Sequence, residues 1–162
     1  MTKVIIMRGI PGSGKSSWAE KHYPECHHCS ADNYFTSEDG EYEFNPAEIG
    51  NAHRSCMKAF LTAIEFCEQI DSQWPIVVDN THTQLWELSP YLQVARAMGY
   101  DVTVVTVQCD IDVAAKRNTH GVPENAIHAM ANRFESIPPF WDCETITVGE
   151  TTLRTNFDGH DI

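Results

Sequence analysis

A glycine-rich loop near the start of the chain, residues 9–16 (GIPGSGKS), constrains the fold more than any other stretch of the sequence. The run before it, Lys3–Arg8, is apolar and β-branched, which is typical of a strand, and residues 16–21 contain no helix breaker. A strand, a loop with the spacing G-x-x-x-x-G-K-S and a helix, in that order, form a phosphate-binding P-loop. The chain is therefore predicted to be an α/β protein with this loop at the end of a strand.

Each residue type in the loop suits contact with phosphate. Glycines permit a tight turn whose N–H groups point inward, and the following helix adds roughly half a positive charge at its N-terminus. Lys15 supplies a point charge to the β- and γ-phosphates, and the Ser16 hydroxyl can ligate Mg²⁺. The predicted nucleotide-contacting residues of this segment are Gly9, Pro11, Gly12, Ser13, Gly14, Lys15, Ser16 and Ser17.

The rest of the sequence alternates between apolar runs and helical patterns. Strands are predicted at 27–31, 75–79, 101–107 and 145–148, and helices at 46–70, 84–98, 111–118 and 124–135, with a kink or fresh start at Ser89-Pro90. This alternation predicts a three-layer sandwich, a parallel sheet of about five strands with helices on both faces. Ligands of such sheets bind beyond the carboxyl ends of the strands, where Asp32 and Asp79 are expected beside the P-loop.

Length and charge limit the functions that this fold can perform. With 162 residues the chain is one domain's worth, predicted as a domain over 1–150 and a polar tail over 151–162. Eleven Lys and Arg against 23 Asp and Glu give a net charge of −12, which disfavours a grip on long nucleic acid backbones. No apolar run approaches a membrane span, no targeting segment is apparent, and six irregularly spaced cysteines suggest reduced thiols. We expect a cytoplasmic protein with no membrane partner.

Several further segments carry a family resemblance: SADNYF (30–35), YEFNP (42–46), AHRSC (52–56), VVDNTHTQLWELSPY (77–91) and KRNTHGVP (116–123). With the P-loop, and in this order, they make residues 3–135 similar to the P-loop kinase family of bacteriophage-type polynucleotide 5′-hydroxyl kinase domains. They resemble the related animal ubiquitin-ligase-binding P-loop proteins most. The resemblance implies a P-loop kinase-like fold with a helical lid. It also implies ATP-dependent phosphoryl transfer to a hydroxyl acceptor, often the 5′-OH of a nucleic acid.

The resemblance also assigns roles on the nucleotide side. Asp32 matches the general base, and a carboxylate at a strand end beside the P-loop could accept the acceptor's proton; alternatively, Asp32 caps a turn. Asp79 stands where such enzymes hold Mg²⁺ together with Ser16, directly or through water, but it could instead orient the acceptor or brace its loop. Arg117 matches an arginine on the nucleotide phosphates, and Arg133 is a weaker match. A solvated arginine and a helix salt bridge are the respective alternatives.

The acceptor side departs from the family. Phe35 stands where the phage enzymes have an arginine that contacts the acceptor's phosphate, and with Tyr34 it could stack on a base or belong to the core. Arg54 could reach an acceptor phosphate, whereas His53 is expected to be buried. The remaining candidates for acceptor contact are Asn80 and Thr81.

Three functional hypotheses remain open from the sequence. The first is a kinase acting on the 5′-OH of a short or single-stranded nucleic acid end. The second is a kinase for a nucleoside or another small molecule, and the third is a nucleotide-binding adaptor module without enzymatic activity. No zinc is expected at residues 26–29 (CHHC), because no second cluster supplies the remaining ligands.

Overall fold

One parallel sheet organises the protein, whose computed structural model describes residues 2–149. Its strands are β1 (Lys3–Arg8), β2 (His27–Cys29), β3 (Ile76–Asp79), β4 (Asp101–Val107) and β5 (Glu144–Val148). The order across the sheet is β2-β3-β1-β4-β5, with every neighbouring pair parallel, so β1 lies centrally between β3 and β4. The predicted polar tail, and with it the proposed boundary at 150, lies outside the described residues.

Five α-helices connect the strands: α1 (Lys15–His22), α2 (Ile49–Ile70), α3 (Leu85–Ala97), α4 (Ile111–Arg117) and α5 (Glu124–Asn132). Two short 3₁₀ helices, Ala31–Phe35 and Pro46–Glu48, precede α2. The predicted alternation of strands and helices is confirmed. Of the kink or fresh start predicted at Ser89-Pro90, the fresh start is absent, since α3 begins earlier, at a capping box formed by Gln84 and Glu87, and continues through the proline.

Alternating side chains of β1 explain the three layers. Val4 and Ile6 face the larger core, which α2 and α3 cover, whereas Ile5 and Met7 pack on the opposite face with Ala19 of α1. Burying both faces of a parallel sheet requires this nearly continuous apolar sequence in its central strand. The predicted α/β sandwich is thus confirmed, with helices on both faces.

The α4 and α5 segment forms a third, smaller cluster against the P-loop. Ile10 of the loop packs with Ala114 of α4 and Ile127 of α5, all three buried. This segment is the helical lid expected from the resemblance, and its base lies directly on the loop. No helix within residues 2–149 is long and apolar enough to cross a membrane.

Candidate nucleotide and acceptor site

Backbone geometry defines the P-loop. Gly14 has a φ of 95° at the N-cap of α1, and Gly12 has a φ of 80°, both in the region that favours glycine. A Cβ atom on Gly12 would lie 2.0 Å from the carbonyl oxygen of Ala114, whereas one on Gly14 would meet nothing within 4 Å. Gly12 is therefore required by contact with the lid as well as by its backbone conformation.

The side chains of the loop converge on its concave side. Lys15 is partly buried, with Nζ 3.4 Å from the carbonyl oxygen of Ile10. Burial lowers the pKa of Lys15, and the nearby carboxylates of Asp79 and Asp32 oppose that shift. The Ser13 hydroxyl is buried and has no hydrogen-bond partner among residues 2–149, so it is free to bind a phosphate oxygen.

Asp79 is the buried carboxylate of the site. It ends β3, is 4% exposed, and its Oδ2 accepts hydrogen bonds from Ser16 Oγ at 2.7 Å and His28 Nε2 at 3.2 Å. Burial would raise the pKa of Asp79. Hydrogen bonds from His28 and Ser16 and the charge of Lys15 together hold it below its ordinary value. The carboxylate is therefore ionised at neutral pH.

The second carboxylate oxygen of Asp79 indicates that a ligand binds at this site. Oδ1 is buried and has no partner within the described part of the chain, an arrangement that costs free energy unless something binds there. Oxygen donors from a carboxylate and a hydroxyl are those that Mg²⁺ prefers. The residues present therefore fit the metal predicted at Ser16 and Asp79.

His28 is a site residue that the sequence analysis missed. It lies on β2, the edge strand beside β3, and donates to Asp79 from a half-exposed position. The signal that could have found it is a polar side chain on the strand paired with the one that ends in Asp79. Its neighbour His27 lies near Ser72, Phe66 and Trp74 instead.

Asp32 is the exposed carboxylate of the site. Ser30 caps the 3₁₀ helix Ala31–Phe35 by accepting from the backbone N–H of Asp32, so the Asp32 side chain is not used as a cap. Half of that side chain is exposed. Its Oδ1 accepts from the Tyr42 hydroxyl at 3.1 Å, and its Oδ2 lies 3.4 Å from Nδ1 of His120. Tyr42 and His120 lie in segments that carried the resemblance, but their side chains were not recognised as site residues.

The aromatic residues after Asp32 differ in exposure. Phe35 is 7% exposed and packs against the rings of Tyr34, Tyr42 and Phe44, which gives it a core position rather than a surface for stacking. Of the two alternatives predicted for Phe35, stacking on a base or a core position, the enclosing aromatic cluster favours the core. Tyr34 is 43% exposed, and its hydroxyl donates to Glu48.

The polar residues of α2 and of the segment after β3 have distinct positions. Arg54 is exposed and forms no hydrogen bond or ion pair with the described residues, and His53 is also exposed, contrary to expectation. Asn80 is buried; its Oδ1 accepts from the N–H of Ala31, which ties the end of β3 to the 3₁₀ helix that carries Asp32. The Thr81 carbonyl accepts from the Gly9 N–H at 2.9 Å. The observed contacts of Asn80 and Thr81 thus brace the site.

The two candidate arginines also differ. Arg117, the last residue of α4, is exposed and has no partner within residues 2–149. Arg133 Nε donates to Thr83 Oγ1 at 3.3 Å. A third arginine, Arg8, is buried beneath the lid, where its guanidinium donates to the carbonyls of His82 and Thr83 and burial lowers its pKa to about 10. Arg117 is therefore the one of these three that is free to move toward a ligand.

Comparisons with known proteins agree with this geometry. Human NEDD4-binding protein 2 is 32% identical over 145 residues, a match that covers 83% of this chain and 8% of that protein. The chain therefore spans under a tenth of that relative's length.

Solved structures share the fold. One from the Pnkp1/Rnl/Hen1 RNA repair complex has a TM-score of 0.62 and 19% identity, covering 94% of this chain and 50% of that one. Kti12 of Chaetomium thermophilum, solved with ADP-AlF3, has a TM-score of 0.61 and 14% identity, and the match covers 90% of this chain and 88% of that chain. Both likenesses confirm the P-loop kinase-like fold. Among protein families, the one described as AAA domain matches residues 4–137, and the chain belongs to this family of P-loop proteins.

Proposed function

We propose that this protein is an ATP-dependent phosphotransferase that moves the γ-phosphate to a hydroxyl acceptor, with Asp32 as the general base. The observation that carries the proposal is that two carboxylates in opposite environments, one buried and one exposed, both lie near Lys15. Asp79 is buried and hydrogen-bonded to Ser16, whereas Asp32 is half exposed and reachable by an acceptor. An adaptor that only binds nucleotide has no need of the exposed carboxylate.

The nucleotide side binds and orients ATP. P-loop N–H groups, Lys15 and the free Ser13 hydroxyl contact the phosphates, and Arg117 turns inward to the transferring group, where a guanidinium matches its oxygens. Arg133 and Ser17 are proposed as further nucleotide contacts. Ser16 and Asp79 would hold Mg²⁺, which would supply neutralisation of the phosphate charge.

The acceptor side supplies the proton acceptor. The acceptor oxygen forms a bond to the γ-phosphorus while the bond from that phosphorus to the bridging oxygen of ADP breaks. The hydroxyl proton passes to Asp32 as attack proceeds, and ADP leaves with the electron pair of the broken bond. Exposure of Asp32 is thus a requirement of the reaction, because the acceptor enters from solvent.

The acceptor we favour is the 5′-OH of a short or single-stranded nucleic acid end. The family resemblance and the structural likeness to a protein of an RNA repair complex support it. Arg54 and the exposed ring of Tyr34 are the proposed contacts, for a phosphate and a base respectively. A charge of −12 limits the contact to a few nucleotides.

A small-molecule hydroxyl is the second candidate, and a cavity favours it. Residues 34–37 line a cavity of about 310 Å³ together with Glu41, Glu43 and Glu48. Three carboxyl groups repel the phosphates of a nucleic acid strand but accept an uncharged or cationic molecule. Either acceptor is compatible with the cytoplasmic location that we predict.

The test is transfer from γ-labelled ATP to a panel of acceptors: single-stranded 5′-OH DNA and RNA, nucleosides and 3′-mononucleotides. Transfer to the 5′-OH ends, lost in Lys15→Ala, supports the favoured acceptor. Transfer to nucleosides alone establishes the small-molecule candidate. If the protein binds nucleotide but neither transfers phosphate to any acceptor nor hydrolyses ATP, the adaptor hypothesis remains and the proposal is overturned.

A further inference from the structure

We infer that Tyr42 and His120 are positioning residues that hold the Asp32 carboxylate for proton transfer and connect it to the lid. This inference rests on the proposed function, because it concerns the base of that reaction. Neither residue has to touch the acceptor. Their effect on turnover is expected to pass through Asp32.

The two residues approach different oxygens of the same carboxylate. The Tyr42 hydroxyl donates to Oδ1 at 3.1 Å, and Nδ1 of His120 lies 3.4 Å from Oδ2. Each carboxylate oxygen can accept more than one hydrogen bond, and half of the Asp32 side chain is still exposed. The arrangement thus fixes the rotation of the carboxylate and leaves room for an acceptor hydroxyl.

The rings of Tyr42 and His120 also support each other. They stack with centroids 4.3 Å apart and planes 18° apart. Burial raises the pKa of the Tyr42 hydroxyl, and the Asp32 carboxylate raises it further, so Tyr42 remains a donor throughout the working pH range. The stack and the two polar contacts form one unit, which we call the base clamp (Tyr42, His120 and Asp32).

Local structure holds both clamp residues in place. Tyr42 forms an isolated antiparallel bridge with Thr36, next to the N–H of Glu43, which donates to the Phe35 carbonyl at 2.8 Å. His120 lies in the turn after α4, where the Asn118 side chain accepts from the His120 N–H and donates to the Val122 carbonyl. The clamp is therefore built on two braced loops.

The position of His120 connects the clamp to the nucleotide. It follows Arg117 by three residues, and α4, which ends at Arg117, packs on the P-loop where Gly12 meets Ala114. A shift of α4 upon nucleotide binding would move His120 relative to Asp32. The clamp gives the protein a physical route by which an occupied P-loop orients the base.

Substitutions can separate ring stacking from polar contact. Tyr42→Phe and His120→Phe keep a ring but remove the group that faces Asp32, whereas His120→Asn keeps an N–H near the Nδ1 position. His128→Phe is the matched control, because His128 lies on α5, where its ion-pair partner within residues 2–149 is Glu124 and not Asp32. Each change is made in the unmutated chain and in Asp32→Asn. Turnover of ATP is measured with single-stranded 5′-OH oligothymidylate and, in parallel, with water as acceptor.

We expect Tyr42→Phe and His120→Phe each to lower kcat roughly 10-fold with the KM for ATP unchanged, and His120→Asn to recover part of the loss. In Asp32→Asn the same changes should have almost no further effect, since they act through the missing carboxylate. The control should match the unmutated chain in both backgrounds, and urea unfolding checks that each variant folds.

Two results would overturn the clamp while the proposed function stands. One is a kcat for both phenylalanine variants within about twofold of the unmutated chain. The other is an equal fold-decrease in kcat with and without the Asp32 carboxylate, which is what a merely structural role would produce. If Asp32→Asn itself keeps full turnover, or if the unmutated chain transfers phosphate to no acceptor of the panel described above and does not hydrolyse ATP, the proposed function fails and the clamp fails with it.

Discussion

The nucleotide side and the acceptor side of this site differ in the kind of groups that form them and in how far apart those groups lie in the sequence. The nucleotide side consists of one contiguous loop, the buried end of β3 and backbone groups that bond to each other, as between Gly9 and Thr81. The acceptor side consists of half-exposed side chains from three segments, in which Asp32 meets Tyr42 and His120. The nucleotide side is thus braced by backbone hydrogen bonds and specified locally, whereas the acceptor side depends on loops that converge through tertiary structure.

Loss of Lys15 should have the largest effect. Lys15→Ala removes the phosphate-facing charge, and we expect transfer to fall by about three orders of magnitude or more. Labelled-ATP transfer measures this effect, with urea unfolding as the test of folding. Lys21→Ala on the same helix is the control, because Lys21 is exposed. Transfer within tenfold of the unmutated chain would show that the P-loop does not carry the reaction.

The buried side should also make folding depend on pH. His82 is 2% exposed, and its Nδ1 donates to the Met7 carbonyl at 2.8 Å. Burial lowers its pKa to about 4 from 6.5. Between those pH values the unfolded chain binds more protons than the folded one, so the free energy of unfolding should drop by about 3 kcal/mol as pH falls through this window.

Urea unfolding at pH 7, 6, 5 and 4 measures this dependence. His82→Asn should flatten the curve, and asparagine tolerates the φ of 43° at this position. His128→Asn, at an exposed position on α5, should leave the curve as it is. An unmutated chain whose stability is constant from pH 6.5 to 4 would refute the assignment of His82 as a buried neutral histidine.

Two glycines of the loop test its contact with the lid. Gly14→Ala places a Cβ in open space and costs only backbone strain, about 1–2 kcal/mol. Gly12→Ala adds a collision with the Ala114 carbonyl, so it should cost roughly 1–3 kcal/mol more. The two unfolding free energies provide the comparison. Equal losses would mean that α4 does not rest on the loop as described.

This contrast explains what the sequence could predict. The P-loop, Asp79 and the order of strands and helices follow from local patterns, because a motif, a strand end and apolar periodicity each act within a few residues. Asp32 was predicted from the family resemblance and from its expected place at the end of β2, which in the structure ends at Cys29, so that Asp32 lies in the 3₁₀ helix that follows. His28 and His120 were not predicted, since nothing within their own segments indicates which carboxylate each approaches.

Burial was harder to predict than position. The sequence allowed Phe35 either a core position or contact with the acceptor. Its packing against aromatic rings of the following loop favours the core position. His53 was expected to be buried, yet it is exposed, whereas Ala52 and Cys56 in the same region of α2 are buried. The buried face of α2 consists of apolar residues at helical spacing, such as Cys56 and Phe60, and this spacing is a better guide to burial than the identity of one histidine.

The most direct test is a paired measurement on the two carboxylates, Asp32→Asn and Asp79→Asn. Calorimetry gives the affinity for ATP with Mg²⁺, and labelled transfer gives the turnover. The account predicts that Asp32→Asn keeps affinity within about threefold while turnover falls roughly 10²-fold, and that Asp79→Asn loses affinity in the presence of Mg²⁺. A collapse of nucleotide affinity in Asp32→Asn, or unchanged turnover in it, would contradict the division of the site into a nucleotide side and an acceptor side.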